Sequence, residues 1–179
     1  MATFCQAMSV APHDDMMRLY HDTEYGFPVS DDNALFERLA LEMNQAGLSW
    51  ATILKRREGF RSAFQQFEID VVANYTEDKV NELLLDPGII RNKRKVEAVI
   101  ENARRLQRIR QEHGSFAQWL DKMYPLAFED WLKLFKATFV FVGPEVVREF
   151  LMSTGYLEGG HDTDCPVLIE IAKLKGSVA

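Results

Sequence analysis

The apolar residues of this sequence recur almost everywhere at the spacing of an amphipathic α-helix, and this period limits the fold more than any other feature. In SDDNALFERLALEMNQ, Asp and Asn residues precede apolar residues spaced three or four positions apart, which is a helix start followed by one buried face. The same signals predict helices over 31–45, 49–64, 69–75, 77–85, 91–112, 115–123, 127–137, 144–154 and 165–175.

The segment FVFVG at 139–143 is the best candidate for a β-strand. No second segment is evident with which it could pair, so we interpret it as a buried connector or the start of a helix. Trp119 and Trp131 follow the apolar spacing and are assigned to the core. We therefore predict an all-α fold.

The bulk composition is that of one globular domain covering residues 1–179, because a chain of this length buries a sizeable core unaided. No apolar run approaches the roughly 18 residues of a membrane-spanning helix. The segment MATFCQAMSVAPHDD has neither a basic nor a continuous apolar region and predicts no signal peptide. With two cysteines far apart in the chain, the expected setting is the cytoplasm, where thiols stay reduced, and the expected state is a monomer.

The net charge of −6 and pI near 5.3 argue against binding nucleic acid through bulk positive charge. Basic residues nevertheless cluster at 91–95 and 104–110, with a further group at 55–58. These clusters are either solvated helix faces or a local contact surface for phosphate, and the sequence leaves both open.

A Pro-Gly turn precedes the first basic cluster in DPGIIRNKRKVEAVIENA at 86–103. A glycine-containing turn at a helix N-terminus exposes backbone N–H groups that can bind an anion. Many helical hairpins contain Pro-Gly, so the pattern alone is weak. Because Arg91, Lys93 and Arg94 follow directly, it predicts either contact with a DNA backbone or an ordinary hairpin.

Glu42 interrupts the apolar face of the 31–45 helix, since residues three and four apart share a face and Glu42 lies beside Leu39. The carboxylate is then at the rim of the core or in a pocket, and a buried charge needs a partner. The ordinary interpretations are an ion pair with Arg38 or a cap on the backbone at 46–47.

Four soft metal ligands lie near the two ends of the chain: Cys5 and His21, then His161 and Cys165. Two cysteines and two histidines form a usual closed structural zinc site. The spacings of sixteen and four residues are not those of a zinc finger, so two buried thiols and two ordinary histidines remain the alternative.

Together these segments resemble the DNA-3-methyladenine glycosylase I family, a branch of the helix-hairpin-helix DNA glycosylases. The resemblance is carried by YHDTEYGFPVSDDNALFERLALEMNQAGLSWATILKRREGFRSAF at 20–64, by 86–103, by FVFVGPEVVREFLMSTGYL at 139–157 and by HDTDC at 161–165. It implies an all-α fold with a helix-hairpin-helix near 77–110, excision of 3-methyladenine from alkylated double-stranded DNA, and a structural zinc that joins the termini.

The resemblance also implies a role for individual residues. Glu42 and Tyr20 would hydrogen-bond the flipped base, Trp50 would stack on it, and Gln45 and Leu48 would fill the gap in the duplex. The backbone contacts would come from the hairpin, and the zinc would be held by the cysteines and histidines near the termini. The residues concerned are Gly88, Ile90, Arg91 and Lys93 for the DNA backbone, and Cys5, His21, His161 and Cys165 for the metal.

The physical chemistry of this assignment is consistent. An alkylated adenine is cationic and its glycosidic bond is already weakened, so a carboxylate and an aromatic face suit it. Flipping costs a few kcal/mol of unstacking, and less for a damaged base. We expect Glu42 to bind the base and stabilise charge while water attacks the sugar. The catalytic aspartate usual after the hairpin in the superfamily has no clear counterpart.

Several positions depart from the family pattern, and they put the substrate range and rate in question. Gln6 and Ala7 replace a Gly-Trp pair after Cys5, and the segment from there to His21 is longer. The remaining departures are Met17 for a tyrosine, Tyr25 for a tryptophan, and Glu145 and Glu149 where small hydroxylated residues are typical.

Two alternatives to an active glycosylase follow. The chain is either a family member that binds DNA or a damaged base without the usual chemistry, or a zinc-stapled helical interaction module. An open cavity beside Glu42 and Trp50 favours an active glycosylase or a protein that binds the base without the chemistry. A cavity filled by Met17, Tyr25 or Glu149 favours the interaction module.

Overall fold

The computed structural model describes residues 2–176, and within them the chain folds into α-helices joined by turns, with no β-strand. The all-α prediction is confirmed. The helices are α1 (Phe4–Val10), α2 (Met16–Thr23), α3 (Asp32–Gln45), α4 (Trp50–Lys55), α5 (Arg57–Ala63), α6 (Ile69–Ala73), α7 (Glu77–Leu83), α8 (Lys93–His113), α9 (Phe116–Met123), α10 (Phe128–Thr138), α11 (Pro144–Ser153) and α12 (Val167–Gly176), with a 3₁₀ turn at Gln65–Phe67.

Several of the predicted helix starts have side-chain caps. The side chains of Asp31, Ser49 and Ser115 each accept a hydrogen bond from a backbone N–H in the first turn of α3, α4 and α9. Gly114 ends α8 at a φ of 91°, where a residue without Cβ is favoured. Local chemistry therefore sets these helix bounds.

Two parts of the helix prediction were wrong. The prediction omitted α1 and α2, which have caps of their own: Thr3 and Gln6 form a reciprocal capping box, and Asp15 accepts from Met17 and Arg18. The single helix expected over 49–64 is broken at Arg56, whose φ of −100° and ψ of 1° separate α4 from α5.

Helices α3 and α8 form the centre of the core. α3 is buried along nearly its whole length, from Leu35 to Asn44. Around it α6, α9 and α11 supply apolar side chains, and Trp119 and Trp131 are buried as expected. Because this stretch of α3 is enclosed, a polar group within it is held away from water.

The segment 139–143 is a buried connector rather than a strand. Asn102 on α8 occupies the position of a pairing strand: its side-chain amide donates to the Val140 carbonyl oxygen at 3.0 Å and accepts from the Val140 N–H at 2.9 Å. Phe141 adopts a φ of 59° just before α11 begins. The backbone groups of Val140 are therefore hydrogen-bonded to one side chain rather than to a neighbouring strand.

A partly buried ionic network fastens the turn after α2 to α3 and α5. Arg57 donates to Glu24 at 2.8 and 2.7 Å and to Glu37 at 2.6 Å, and Arg61 also bonds Glu37. Arg38 reaches Glu24 at 3.4 Å and the Ser153 carbonyl oxygen at 3.0 Å. The network is anchored to α3 at Glu37 and Arg38, and Arg38 lies one turn before Glu42.

Of the helices described here, none has the combination of length and apolar character needed to cross a bilayer.

Candidate active site

A cavity of about 580 Å³ opens at the C-terminal end of α3. Larger clefts of about 750 and 890 Å³ lie beside the C-terminal helix, but Glu42 does not face them. The residues that line the 580 Å³ cavity are Phe4, Met17, Tyr20, Tyr25, Glu42, Gln45, Ala46, Gly47, Trp50, Glu145 and Glu149.

Glu42 lies in the wall of this cavity with 4% of its surface exposed. Within residues 2–176 it forms neither a hydrogen bond nor an ion pair, because the nearby Arg38 bonds Glu24 and Ser153 instead. Burial, and then the negative charge of Glu149, raise the pKa of Glu42 to about 8, while Arg38 opposes the rise. The side chain is therefore a buried acid whose partner is not supplied by the described part of the chain.

Two aromatic residues beside Glu42 also have unsatisfied polar atoms. The Tyr20 and Trp50 rings lie 5.3 Å apart at 50° to each other. Tyr20 Oη and Trp50 Nε1 are buried and have no hydrogen-bond partner among the described residues. Such groups normally cost about 1–3 kcal/mol each, and in a native fold they call for an explanation. Glu42, Tyr20 and Trp50 all line the same cavity, and the lack of partners for their polar groups indicates a ligand there.

The positions that depart from the family pattern fall into two groups. Met17, Tyr25, Glu145 and Glu149 line the cavity and leave it open. Gln6 is exposed at the start of α1, where its side chain completes the capping box with Thr3. The open cavity favours a base-binding site over a purely structural scaffold.

Gln45 is the last residue of α3, and Leu48 lies in the following loop between Gly47 and Trp50, which both line the cavity. Gln45 lines it and donates through Nε2 to the Leu48 carbonyl oxygen at 2.7 Å, while Leu48 is 37% exposed. Between them Gly47 has a φ of 81°, a conformation that favours glycine. The hydrogen bond from Gln45 therefore holds the turn in place, while the apolar Leu48 side chain is exposed.

The turn at 84–92 joins α7 to α8 and carries the remaining predicted DNA contacts. Arg91 and Lys93 are exposed, whereas Gly88 and Ile90 are partly buried. The Gly88 N–H donates to Asp86 Oδ1 at 2.7 Å. Its backbone also packs against Gly59 on α5 so closely that a Cβ on Gly59 would overlap the Gly88 carbonyl group.

The fold brings together the four predicted metal ligands, which are separated in sequence by up to 160 positions. Their ligand atoms all lie within 4.8 Å of one another. Cys5 Sγ is 3.2 Å from His21 Nε2 and 3.6 Å from His161 Nδ1, and Cys165 Sγ is 3.8 and 3.5 Å from the same atoms. A tetrahedral zinc ion with these ligands would separate N from S by about 3.5 Å.

Outer partners orient both histidine rings. The remaining ring nitrogen of His21 lies 2.7 Å from Asp22 Oδ1, and that of His161 lies 2.6 Å from the Tyr25 carbonyl oxygen. Metal-binding histidines usually have such a carboxylate or carbonyl partner, which fixes the tautomer. The four residues can therefore hold a metal ion, and their chemistry suits zinc.

The fold and cavity place the chain in the class of helical DNA glycosylases. Its structure is similar to that of a variant of 3-methyladenine DNA glycosylase I in complex with 3-methyladenine, with a TM-score of 0.77 and 32% sequence identity. The similarity covers 87% of this chain and 94% of that one.

Sequence comparison narrows the class to a family. The methyladenine glycosylase family model matches residues 10–130. DNA-3-methyladenine glycosylase of Haemophilus influenzae is 33% identical over 82% of this chain and 89% of that protein. DNA-3-methyladenine glycosylase 1 of Escherichia coli K12 is 43% identical over 60% of this chain, a match that takes in 57% of the relative's length. The chain belongs to the methyladenine glycosylase family.

Proposed function

We propose that this protein is a monofunctional DNA glycosylase that removes 3-methyladenine from alkylated double-stranded DNA, the first step of base-excision repair. The names of its relatives support this activity. The structural observation that carries it is the buried Glu42 carboxylate, which faces an open cavity without a partner among the described residues. Residues 1–179 then act as one glycosylase domain.

Glu42 is the group that recognises charge in this proposal. In DNA, 3-methyladenine carries a positive charge, which Glu42 neutralises and the face of Trp50 attracts. Tyr20 Oη supplies a hydrogen bond. When the glycosidic bond breaks, its electron pair passes to the base, which leaves uncharged; water adds to the sugar carbon and loses a proton.

The loop of Gln45 and Leu48 serves base flipping. A flipped base leaves a gap in the stack, and the exposed Leu48 side chain, braced by Gln45, enters that gap. The loop lies beside the cavity that receives the base. The base can therefore enter the cavity while Leu48 enters the gap that the base leaves.

The helix-hairpin-helix at 77–110 holds the DNA backbone in this proposal. Ile90, Arg91 and Lys93 supply the contact to phosphate, since the Gly88 N–H is bound by Asp86. Gly88 contributes by permitting the close packing of the turn on Gly59. A single phosphate gripped here explains how a chain with net charge −6 binds DNA.

Zinc is the proposed structural cofactor. Cys5, His21, His161 and Cys165 would hold it in a closed site without an open position for catalysis. The ion would join α1 and α2 to the segment before α12. The buried thiols accord with a reducing, cytoplasmic setting and with a monomer whose termini are fastened within one chain.

The test is chromatographic detection of free base from methylated duplex DNA. The wild-type protein is expected to release 3-methyladenine, and Glu42→Gln to release it roughly a hundredfold more slowly, because the charge is lost while the shape is kept. Glu158→Gln removes the same charge from an exposed loop outside the cavity and serves as the matched control.

Other outcomes discriminate between the alternatives. Binding of DNA or free 3-methyladenine without release identifies a base binder that lacks the chemistry. Neither binding nor release leaves a zinc-stapled interaction module. Full activity in Glu42→Gln overturns the role given to that residue.

A further inference from the structure

A second carboxylate enters the base cavity from another helix. Glu149 on α11 lines the cavity together with Glu42 of α3 and is partly buried. Its Oε2 accepts a hydrogen bond from Tyr25 Oη at 3.2 Å. The proposed function gives this side chain no part, although a cation in the cavity would be exposed to its charge.

The surroundings of Glu42 make the two carboxylates interdependent. From α11, Glu149 contributes the main charge that raises the Glu42 pKa after burial itself; from α3, Arg38 opposes it. Tyr20 of α2 also lines the cavity, but its hydroxyl is uncharged because burial raises its pKa. Two carboxylates that share a cavity and are shielded from water resist being ionised together.

The surroundings of Glu149 also shift the pKa of its carboxyl group. Burial raises the pKa of Glu149, and Glu145, one turn earlier on α11, adds to the rise. The hydrogen bond from Tyr25 and the charge of Arg148 act in the opposite direction. Of the three acids that line the cavity, Glu42 and Glu149 are withdrawn from water and favour a shared proton when nothing positive lies between them.

We infer that Glu149 is a specificity-determining residue of the base pocket: with Glu42 it forms a carboxylate pair that holds one proton in the empty cavity and releases it when a positively charged base enters. This inference rests on the proposed function. It names the substrate class more closely, because the second carboxylate favours permanently cationic N-alkylated purines over neutral purines of the same shape.

A purely structural role for Glu149 makes a different prediction. As a partner for Tyr25, Glu149 needs only an acceptor oxygen, and the amide of Gln supplies one. As a charge, it cannot be replaced by Gln. The Glu149→Gln variant therefore separates the two roles while preserving size and hydrogen bond.

The experiment is a calorimetric titration of the full-length protein with two small probes between pH 6 and 9. One is 3,9-dimethyladeninium, a cationic base analogue; the other is the neutral 9-methyladenine. Titrations in buffers of different ionisation enthalpy count the protons released. Wild type, Glu149→Gln and the exposed control Glu158→Gln are compared.

In the wild type, close to one proton should be released on binding below pH 8. Affinity for the cation should therefore increase by up to about tenfold for each unit by which the pH is raised toward 8. The neutral probe should show no such gain. In Glu149→Gln this rise should move to lower pH, and affinity for the cation at pH 8.5 should fall about tenfold. Unchanged binding of the neutral probe shows that the cavity is intact, and Glu158→Gln should match the wild type.

Wild-type pH dependence and wild-type preference for the cation in Glu149→Gln would overturn the inference. Release of 3-methyladenine from methylated DNA by the same wild-type preparation distinguishes this result from failure of the proposed function. Release with unaltered preference rejects the carboxylate pair alone; absence of release rejects the proposed function.

Discussion

The Nζ atom of Lys95 lies 2.7 Å from the backbone carbonyl oxygen of Asn44. The same ammonium group donates to the Ala46 carbonyl oxygen at 2.9 Å, and the side chain is buried. These carbonyl groups belong to the end of α3, where a helix has unpaired acceptors and a partial negative charge. Lys95 thereby joins the first turn of α8 to the loop that carries Gln45 and Leu48.

We predict that Lys95→Met destabilises the protein by about 1–3 kcal/mol, because two partly buried acceptors lose their charged donor. Urea unfolding at pH 7 measures the change. Lys133→Met is the control, since Lys133 is 80% exposed and has only a surface ion pair; it should shift stability by less than about 0.5 kcal/mol. Equal effects from the two variants would show that the Lys95 contacts contribute nothing.

Local signals were sufficient to predict most of the helices. α3 and α9 begin at a capping side chain followed by apolar spacing, and both lie within a residue of the prediction. The same kind of signal is present at Thr3 and Asp15, so α1 and α2 were predictable from caps that were not used. The break at Arg56 has no comparable local mark and depends on how α4 and α5 pack.

The connector at 139–143 shows what local sequence cannot supply. Its apolar β-branched and aromatic residues suit a strand, yet the partner of Val140 is Asn102, which is 38 positions away. We predict that Asn102→Ala costs about 2–4 kcal/mol, since it leaves two backbone groups unpaired and a space in the core.

Thermal or urea unfolding of Asn102→Ala beside Asn81→Ala measures this cost. Asn81 is exposed on α7, so its replacement removes an amide without disturbing the core. A loss below about 0.5 kcal/mol for Asn102→Ala would mean that water replaces the amide at Val140.

The sequence and the resemblance together predicted several residues that line the cavity, but not their hydrogen bonds or pKa shifts. The spacing of Glu42 indicated a carboxylate at a pocket or core rim, and the family resemblance placed Tyr20 and Trp50 beside it. Sequence gave no sign that Arg38 would bond Glu24 and Ser153 and leave Glu42 alone. The resemblance placed Glu149 near the pocket, but not its hydrogen bond with Tyr25 or its effect on the Glu42 pKa, because these depend on how α11 packs on α3.

Glu42 should make stability decrease as pH rises. Its carboxyl group has a pKa of about 8 in the folded protein and about 4.5 as an ordinary group. For a raised pKa, stability is complete below the unfolded value and is lost as pH approaches the folded value. Between pH 4.5 and 8 the unfolded state gives up the proton while the folded state keeps it.

Glu42→Gln should therefore be more stable than wild type at pH 9, by on the order of 3 kcal/mol, and the difference should shrink toward pH 5. Urea unfolding at pH 5, 7 and 9 measures it. Glu158→Gln, at an exposed position, should show no such trend. A constant difference between Glu42→Gln and wild type across this range would mean that Glu42 is ionised at neutral pH in the folded state.

Removal of metal should release the segment before α12 from the N-terminal helices. His161 and Cys165 contact α1 and α2 through ligand atoms that lie within 4.8 Å of Cys5 and His21. Without an ion, that cluster contains two thiols and two imidazoles with only weak mutual hydrogen bonds. We predict one equivalent of zinc in the purified protein and a loss of several kcal/mol when a strong chelator removes it.

Metal analysis and thermal unfolding before and after chelation test this prediction, with Cys165→Ser as the variant that loses a ligand. His13→Ala is the matched control, because His13 is exposed and lies outside the cluster. Cys165→Ser should lower zinc content and melting temperature together, and added zinc should restore neither fully. His13→Ala should retain both. A metal-free protein whose melting temperature is unaffected by chelator would show that the four side chains are held by packing and hydrogen bonds alone.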